Sequence, residues 1–278
     1  MARARRHPVR RAGVRGAEMT VRAVVIDLDG VLYVEDEPVP GAADAVASLR
    51  ARGLALRFAT NTTSRPRRLI LERLHRLGFD VAPEELVTPA ALAVRRCADR
   101  GHRTVALVMK DDLREDFTDL VDGGDAVDAM ILGDCGEDFG YALLNRAFRL
   151  LMDGAELIAL QKNRYWLTPD GLSLDVGPFV AALEYAASTE AFVVGKPAPA
   201  FFAAALDGTG VTAAQAAMIG DDVESDVGGA LNAGMAGILV RTGKFREESV
   251  RAAGIRPTAI IDSIAELPAL LDAASHHP

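Results

Sequence analysis

Cysteine is almost missing from this chain of 278 residues: only Cys97 and Cys135 occur, in neither a CxxC pair nor a disulfide framework. That excludes a disulfide-stapled scaffold and leads us to expect a reducing, cytoplasmic compartment. No GxSxG and no GxGxxG occurs, so a serine nucleophile elbow and a dinucleotide fingerprint are both lacking. No apolar run approaches the roughly 20 residues that span a bilayer, and no membrane partner is expected. Residues 237–244 superficially suggest a phosphate loop, but the spacing is wrong and Phe245 stands where that pattern needs a hydroxyl.

What is present is more informative. The chain exceeds the usual size of one domain, which predicts two, with ample material for a core. Half of the residues are apolar and a quarter charged, ordinary proportions for a soluble globular enzyme. Residues 1–18 hold six arginines (Arg3, Arg5, Arg6, Arg10, Arg11, Arg15) against Glu18, so they carry +5 of a total of −8 and leave −13 on the rest. We expect a disordered basic tail there, without the apolar segment of a secretory signal. A nucleic-acid arm is opposed by the acidic body, and no nucleic-acid partner is expected. Met19 stands directly before the first strand, which fits an upstream start codon or a dispensable tail; a transit peptide is the other reading.

Residues 24–33, Val-Val-Ile-Asp-Leu-Asp-Gly-Val-Leu-Tyr, organise the remainder. Their apolar, β-branched start reads as a buried strand of a parallel sheet, ending in Asp27 and Asp29. Ligands bind at the carboxyl ends of strands in an open α/β sheet, and Gly30 lets the chain turn close to whatever the acids hold. Asp and Gly are also ordinary turn residues, so this stretch alone fits a polar turn as well.

From Met19 onward, strands and helices alternate. Strand 54–59 ends in Thr60-Asn61-Thr62-Thr63-Ser64, a strand over 192–194 ends at Gly195-Lys196-Pro197, and strand 217–220 ends in Asp221, Asp222 and Asp226. Strands 237–240 and 258–261 complete the sheet, with helices over about 42–52, from Pro66 to about 77, near Pro199 and over about 264–273. Such repetition implies a doubly wound parallel sheet on which four strand tips converge. The 135 residues between Thr60 and Lys196 exceed one βαβ unit of about 30 residues. They predict an α/β cap with strands near 105–109, 129–132 and 157–160, helices near 90–100, 141–152 and 176–187, and a hairpin over 165–174 that turns at Pro169-Asp170-Gly171. The expected organisation is a core of residues 19–85 and 190–278 with a cap of residues 86–189.

Asp27, Asp29, Asp221, Asp222 and Asp226, brought together, would repel one another unless a cation neutralised them. Oxygen-only donors without histidine or cysteine suit Mg²⁺. Thr60, Asn61 and Lys196 supply donors and positive charge for a phosphoryl group, and an aspartate can be a nucleophile. The constellation reads as metal-assisted phosphoryl transfer.

Asp27-x-Asp29-Gly30-Val31, Thr60-Asn61, Gly195-Lys196-Pro197 and Gly220-Asp221-Asp222-x-x-x-Asp226 resemble, in order, the four motifs of the haloacid dehalogenase superfamily of phosphatases. A cap between the second and third motifs is similar to the C2-cap, NagD-like branch. The resemblance covers Met19 to about Leu271, and no motif residue departs from the pattern. It implies an α/β fold, a Rossmann-like core with a parallel sheet plus an inserted α/β C2-type cap. It also implies an Mg²⁺-dependent phosphatase acting on a small phosphorylated substrate.

By that resemblance Asp27 is the nucleophile, with its other oxygen on Mg²⁺, and Asp29 protonates the leaving group and then activates water. The Asp29 carbonyl and Asp221 complete the metal ligands, while Asp222 and Asp226 orient metal waters and Lys196. Thr60, the Asn61 backbone and Thr62 hold phosphoryl oxygens, and Lys196 neutralises the growing charge. The cap closes over the site and carries a homodimer interface.

Arg164, with Asn163, Tyr165 and Trp166, precedes the hairpin and is a candidate for reading the substrate, although these residues also suit a solvated loop. Arg67, Arg68 and Arg73 read as a solvated helix face, and His75, His102, His276 and His277 as surface residues. A phosphorylated receiver module also uses clustered acids, a threonine and a lysine, but is a single small domain. Dehalogenase chemistry does not need the metal acids of the fourth motif. The alternative function is a non-catalytic binding or regulatory protein that retains the fold.

Overall fold

A computed structural model describes residues 20–124, 126–168 and 171–275. The basic tail, Pro169 and Asp170 of the hairpin turn, and His276 and His277 lie outside the described residues.

Successive side chains of a strand point to opposite faces, and in Ala23–Asp27 both faces are apolar and buried. Such a strand needs cover on both sides, and it lies inside a six-stranded, wholly parallel sheet. The order is Ala259–Ile261, Ala236–Val240, Ala216–Gly220, Ala23–Asp27, Ala55–Ala59, Leu86–Val87. On one face Val24, Ile26 and Ile219 pack with Leu49 of helix Ala42–Ala51 and Leu267 of helix Leu267–Ser275. On the other, Val25 and Met218 pack with Phe201 and Phe202 of helix Pro199–Leu206. Each such fully buried side chain contributes about 1.5–3 kcal/mol.

A second parallel sheet runs Phe192–Val193, Glu156–Ala159, Ala129–Leu132, Thr104–Val108, Val121–Asp122. Helices Tyr141–Met152 and Val176–Ala187 cover one face, and helix Pro89–Arg100 the other. Strands Tyr165–Thr168 and Gly171–Leu174 form the expected antiparallel hairpin. Among the described residues no helix is long and apolar enough to cross a membrane.

Three features depart from the sequence reading. The strand over 192–194 was expected in the first sheet; instead Phe192–Val193 pair with Ile158–Ala159 at the edge of the second. A short apolar run fits the edge of either sheet, so its pattern does not choose between them. Leu86–Val87 add an unexpected sixth strand to the first sheet, too short to show a period. The arginines of helix Arg67–Arg76 are not simply a solvated face. The Arg67 N–H donates to both carboxylate oxygens of Asp116 at 3.0 and 3.2 Å, Arg68 pairs with Glu115 at 3.3 Å, and the Arg73 guanidinium lies 4.3 Å over the Tyr33 ring. The first two contacts join the two sheets' segments, because residues 115 and 116 follow the Thr104–Val108 strand.

Candidate active site

Asp27, Lys196, Asp221 and Asp226 are buried together at the carboxyl end of the first sheet, each no more than 7% exposed. A charge buried alone costs several kcal/mol, so the four are explicable only as a group. Lys196 Nζ lies 2.5 Å from Asp27 Oδ1 and 2.7 Å from Asp226 Oδ1. Burial pushes the lysine pKa down, but Asp226 and Asp27 outweigh it and hold the ammonium above its ordinary value.

Asn61 explains how a residue from the second sheet's edge reaches this point. Its Oδ1 accepts the Lys196 N–H at 2.8 Å and its Nδ2 donates to the Lys196 carbonyl at 2.8 Å. The amide side chain is therefore spent on fixing the lysine main chain. Next to it the Thr62 N–H donates to Thr60 Oγ1 at 3.0 Å, and Thr60 Oγ1 donates to Thr62 Oγ1 at 2.9 Å, a local turn that competes with continuing the strand.

Asp221 is gripped on one side only. Its Oδ2 accepts the Lys244 N–H at 2.7 Å, whereas Oδ1 is buried with no hydrogen-bond partner among the described residues. Gly30 at φ +82° and Gly243 at φ +62° press against Oδ2, where a Cβ on either would lie 2.0 or 2.1 Å away. Thr242 Oγ1 donates to the Gly30 carbonyl, which ties the loop after Ala236–Val240 to the turn after the first strand. Asp226 Oδ2 accepts the Asp222 N–H at 3.1 Å. Asp222 itself caps the helical turn Val223–Gly228, accepting from the Glu224 and Ser225 N–H groups at 3.0 Å.

Burial, reinforced by Asp27 and Asp226, pushes Asp221 up to about 8. Burial also pushes Asp226 up to about 7, against the pull of Lys196, and raises Asp27 in the same way. One oxygen from each of Asp27, Asp221 and Asp226 lies within 4.8 Å of the others. Oxygen-only donors, an orphaned Asp221 oxygen and acids that resist ionisation together fit a hard divalent cation.

Asp29 is exposed beside this cluster, and the Tyr33 hydroxyl donates to its Oδ2 at 3.4 Å. Burial and then the Asp29 charge push the Tyr33 pKa up. Arg164 is exposed with its guanidinium 5.7 Å from the Tyr165 ring centroid, and no contact to the buried cluster occurs among the described residues. The structure thus brings together Asp27, Asp29, Thr60, Asn61, Thr62, Lys196, Asp221, Asp222 and Asp226, and leaves Arg164 apart.

A family model for haloacid dehalogenase-like hydrolases matches residues 24–120, and one described as HAD-hydrolase-like matches residues 193–267. The chain is 47% identical to haloacid dehalogenase-like hydrolase domain-containing protein 2 of Bos taurus over 226 residues, which is 81% of this chain and 86% of that protein. It is 41% identical to phospholysine phosphohistidine inorganic pyrophosphate phosphatase of Homo sapiens over 257 residues, 90% of this chain and 94% of that one. This chain belongs to the haloacid dehalogenase-like hydrolase family. The NagD structure from E. coli K-12 superposes with a TM-score of 0.79 at 26% identity, covering 89% of this chain and 98% of NagD. Within the family the hydrolase is a NagD-like phosphatase.

One residue of this phosphatase escaped the sequence reading. Lys244 follows the Ala236–Val240 strand, and its N–H holds Asp221. Burial lowers its ammonium pKa, but Asp221 and Asp27, with Asp222 and Asp226, raise it further. A cue was present: any residue just past a strand of this sheet arrives at the same edge, whether or not it completes a phosphate-loop pattern.

Proposed function

We propose that this phosphatase hydrolyses a phosphomonoester, phosphoamide or pyrophosphate bond of a small phosphorylated substrate, with Mg²⁺ as cofactor, through an aspartyl-phosphate on Asp27. The observation that carries the reading is the buried Asp27–Lys196 pair beside an Asp221 whose second oxygen has no protein partner among the described residues. Burial raises Asp27 on balance, and the Lys196 ammonium at 2.5 Å, together with a bound cation, would favour the carboxylate form that attacks phosphorus. Lys196 also offsets charge that grows on the transferring oxygens.

Asp29 lies on the solvent side, where it gives a proton to the leaving oxygen and then takes one from the attacking water. That water bonds to phosphorus, the bond from phosphorus to Asp27 breaks, and phosphate leaves with Asp27 restored. Thr60, Thr62 and the Asn61 backbone hold the phosphoryl oxygens. Asp27, Asp221 and the Asp29 carbonyl would hold Mg²⁺, with Asp222 and Asp226 beyond them, and the ion would polarise the phosphoryl group and absorb charge.

We assign the first sheet, which takes in Leu86–Val87 beyond the expected boundary at residue 85, to the catalytic core, and the second, which takes in Phe192–Val193 beyond the expected boundary at residue 189, to a C2-type cap that closes over it, presents Arg164 towards the leaving group and carries a homodimer interface. A cytoplasmic location goes with this reading. The relative named for phospholysine, phosphohistidine and inorganic pyrophosphate supports the range of bonds proposed. Phosphate release from p-nitrophenyl phosphate, pyrophosphate and phosphohistidine, measured in Mg²⁺ and in EDTA, is the test. Turnover in Mg²⁺ that EDTA abolishes is expected. EDTA-insensitive turnover would contradict the cofactor, and silence from folded protein on every compound would favour the non-catalytic alternative.

A further inference from the structure

The loop after the Ala236–Val240 strand closes over Asp221 through three residues in a row. Thr242 bonds to the Gly30 carbonyl, Gly243 has no room for a Cβ against Asp221, and the Lys244 N–H holds Asp221 Oδ2. The main chain of Lys244 is therefore pinned at the site, while the residue as a whole is exposed. The other cations of the loop are engaged elsewhere. Arg241 pairs with Asp262 at 2.9 Å, and Arg246 donates to the Phe245 and Gly243 carbonyls at 2.7 and 3.3 Å. Lys196 is enclosed between Asp27 and Asp226. Among the described residues, the Lys244 ammonium forms no ion pair within 4.0 Å, although Asp221, Asp27, Asp222 and Asp226 all act on it.

Charge accounting gives this lysine a task. Asp27, Asp29, Asp221, Asp222 and Asp226 carry five negative charges when ionised; Lys196 and a divalent cation return three, which leaves a deficit of two. A phosphomonoester dianion deepens that shortfall of positive charge to four, and a second phosphoryl group deepens it further, so a further cation at the site has an anion to offset. An ammonium on a flexible stem, anchored at its backbone and free at its tip, suits the oxygens of such a second group.

Resting on the phosphatase reading above, we propose that Lys244 binds a second anionic group across the scissile bond, so that the site favours phosphoanhydrides over monoesters with neutral leaving groups. The competing role is a general one, in which Lys244 only offsets Asp221 and assists any anion equally. Calorimetric titration of Mg²⁺-loaded wild type and Lys244→Met with imidodiphosphate, which keeps two phosphoryl groups and resists hydrolysis, and with orthophosphate separates the two. The substitution should weaken imidodiphosphate at least tenfold more than orthophosphate. A smaller difference, equal losses, or no binding of imidodiphosphate by wild type would overturn the proposal. The readout needs no turnover, so its failure is distinct from a failure to release phosphate.

Discussion

Two charged clusters, one on each sheet, show opposite electrostatics. Glu156 opens a strand of the second sheet, and both its oxygens are matched: Oε1 accepts from Arg96 Nη2 at 2.6 Å, and Oε2 lies 2.6 Å from His102 Nε2 and 3.7 Å from Arg100. Burial raises its pKa, but Arg96 and His102 outweigh that and hold it below the usual carboxylate value. Asp221 stands just past the end of a first-sheet strand with one N–H on Oδ2 and, among the described residues, no partner on Oδ1, and it is pushed up to about 8. The first cluster is complete within the protein and holds neighbouring elements together. The second has an excess of acid at the sheet edge where ligands bind, a donor set that fits a cation and the anion that comes with it.

The comparison breaks most severely if the buried lysine proves dispensable. Lys196→Met leaves Asp27 and Asp226 buried without a counter-charge, and should cost roughly 3–5 kcal/mol of unfolding free energy. Phosphate release should fall about 10³-fold or more with it. Denaturant unfolding and turnover of the same preparation check both, and unchanged stability would refute the pairing.

A smaller effect comes from pH. From about pH 4 up to about 7 for Asp226 and about 8 for Asp221, the folded, metal-free protein keeps protons that the unfolded chain has already released. Those acids therefore make stability fall as pH rises from about 4, and the fall ends as Asp226 and then Asp221 ionise in the folded protein near 7 and 8. Melting temperatures measured without metal should drop over that interval, and Mg²⁺ should remove the slope by favouring the charged forms. A flat metal-free profile, or one that Mg²⁺ leaves unaltered, would contradict the acid excess.

The smallest change is expected at the balanced cluster. Glu156→Gln keeps the shape but loses the charge facing Arg96 and His102, at about 1 kcal/mol for a partly exposed pair. Turnover should stay within twofold of wild type. A large loss of activity would show that the second sheet's cluster is coupled to the chemistry and would erase the distinction drawn between the two.

Much of the site could be read in the residues because it lies at strand ends. The run into Asp27 is apolar on both faces, which only a covered parallel strand explains, and the acids after residue 220 follow the same logic. What remained hidden is pairing rather than position. That Asn61 spends its side chain on the Lys196 backbone, or that Asp116 accepts from the first N–H of helix Arg67–Arg76, depends on how segments 135 and 49 residues apart meet. The sheet that the edge strand Phe192–Val193 joins is hidden for the same reason, since its side chains carry no record of the neighbour they bond to. Lys244 fits no phosphate-loop pattern, and only the sheet edge on which its strand ends marks it.

Asp27 is the residue on which the proposed phosphoryl transfer depends most directly. Phosphate release from p-nitrophenyl phosphate in Mg²⁺ by purified Asp27→Asn, beside wild type and with melting temperatures recorded for both, is the most direct test. We predict a folded protein whose rate is lower by roughly 10³-fold or more, as expected for loss of a nucleophile. Turnover within tenfold of wild type would contradict the assignment of the buried cluster as the seat of phosphoryl transfer.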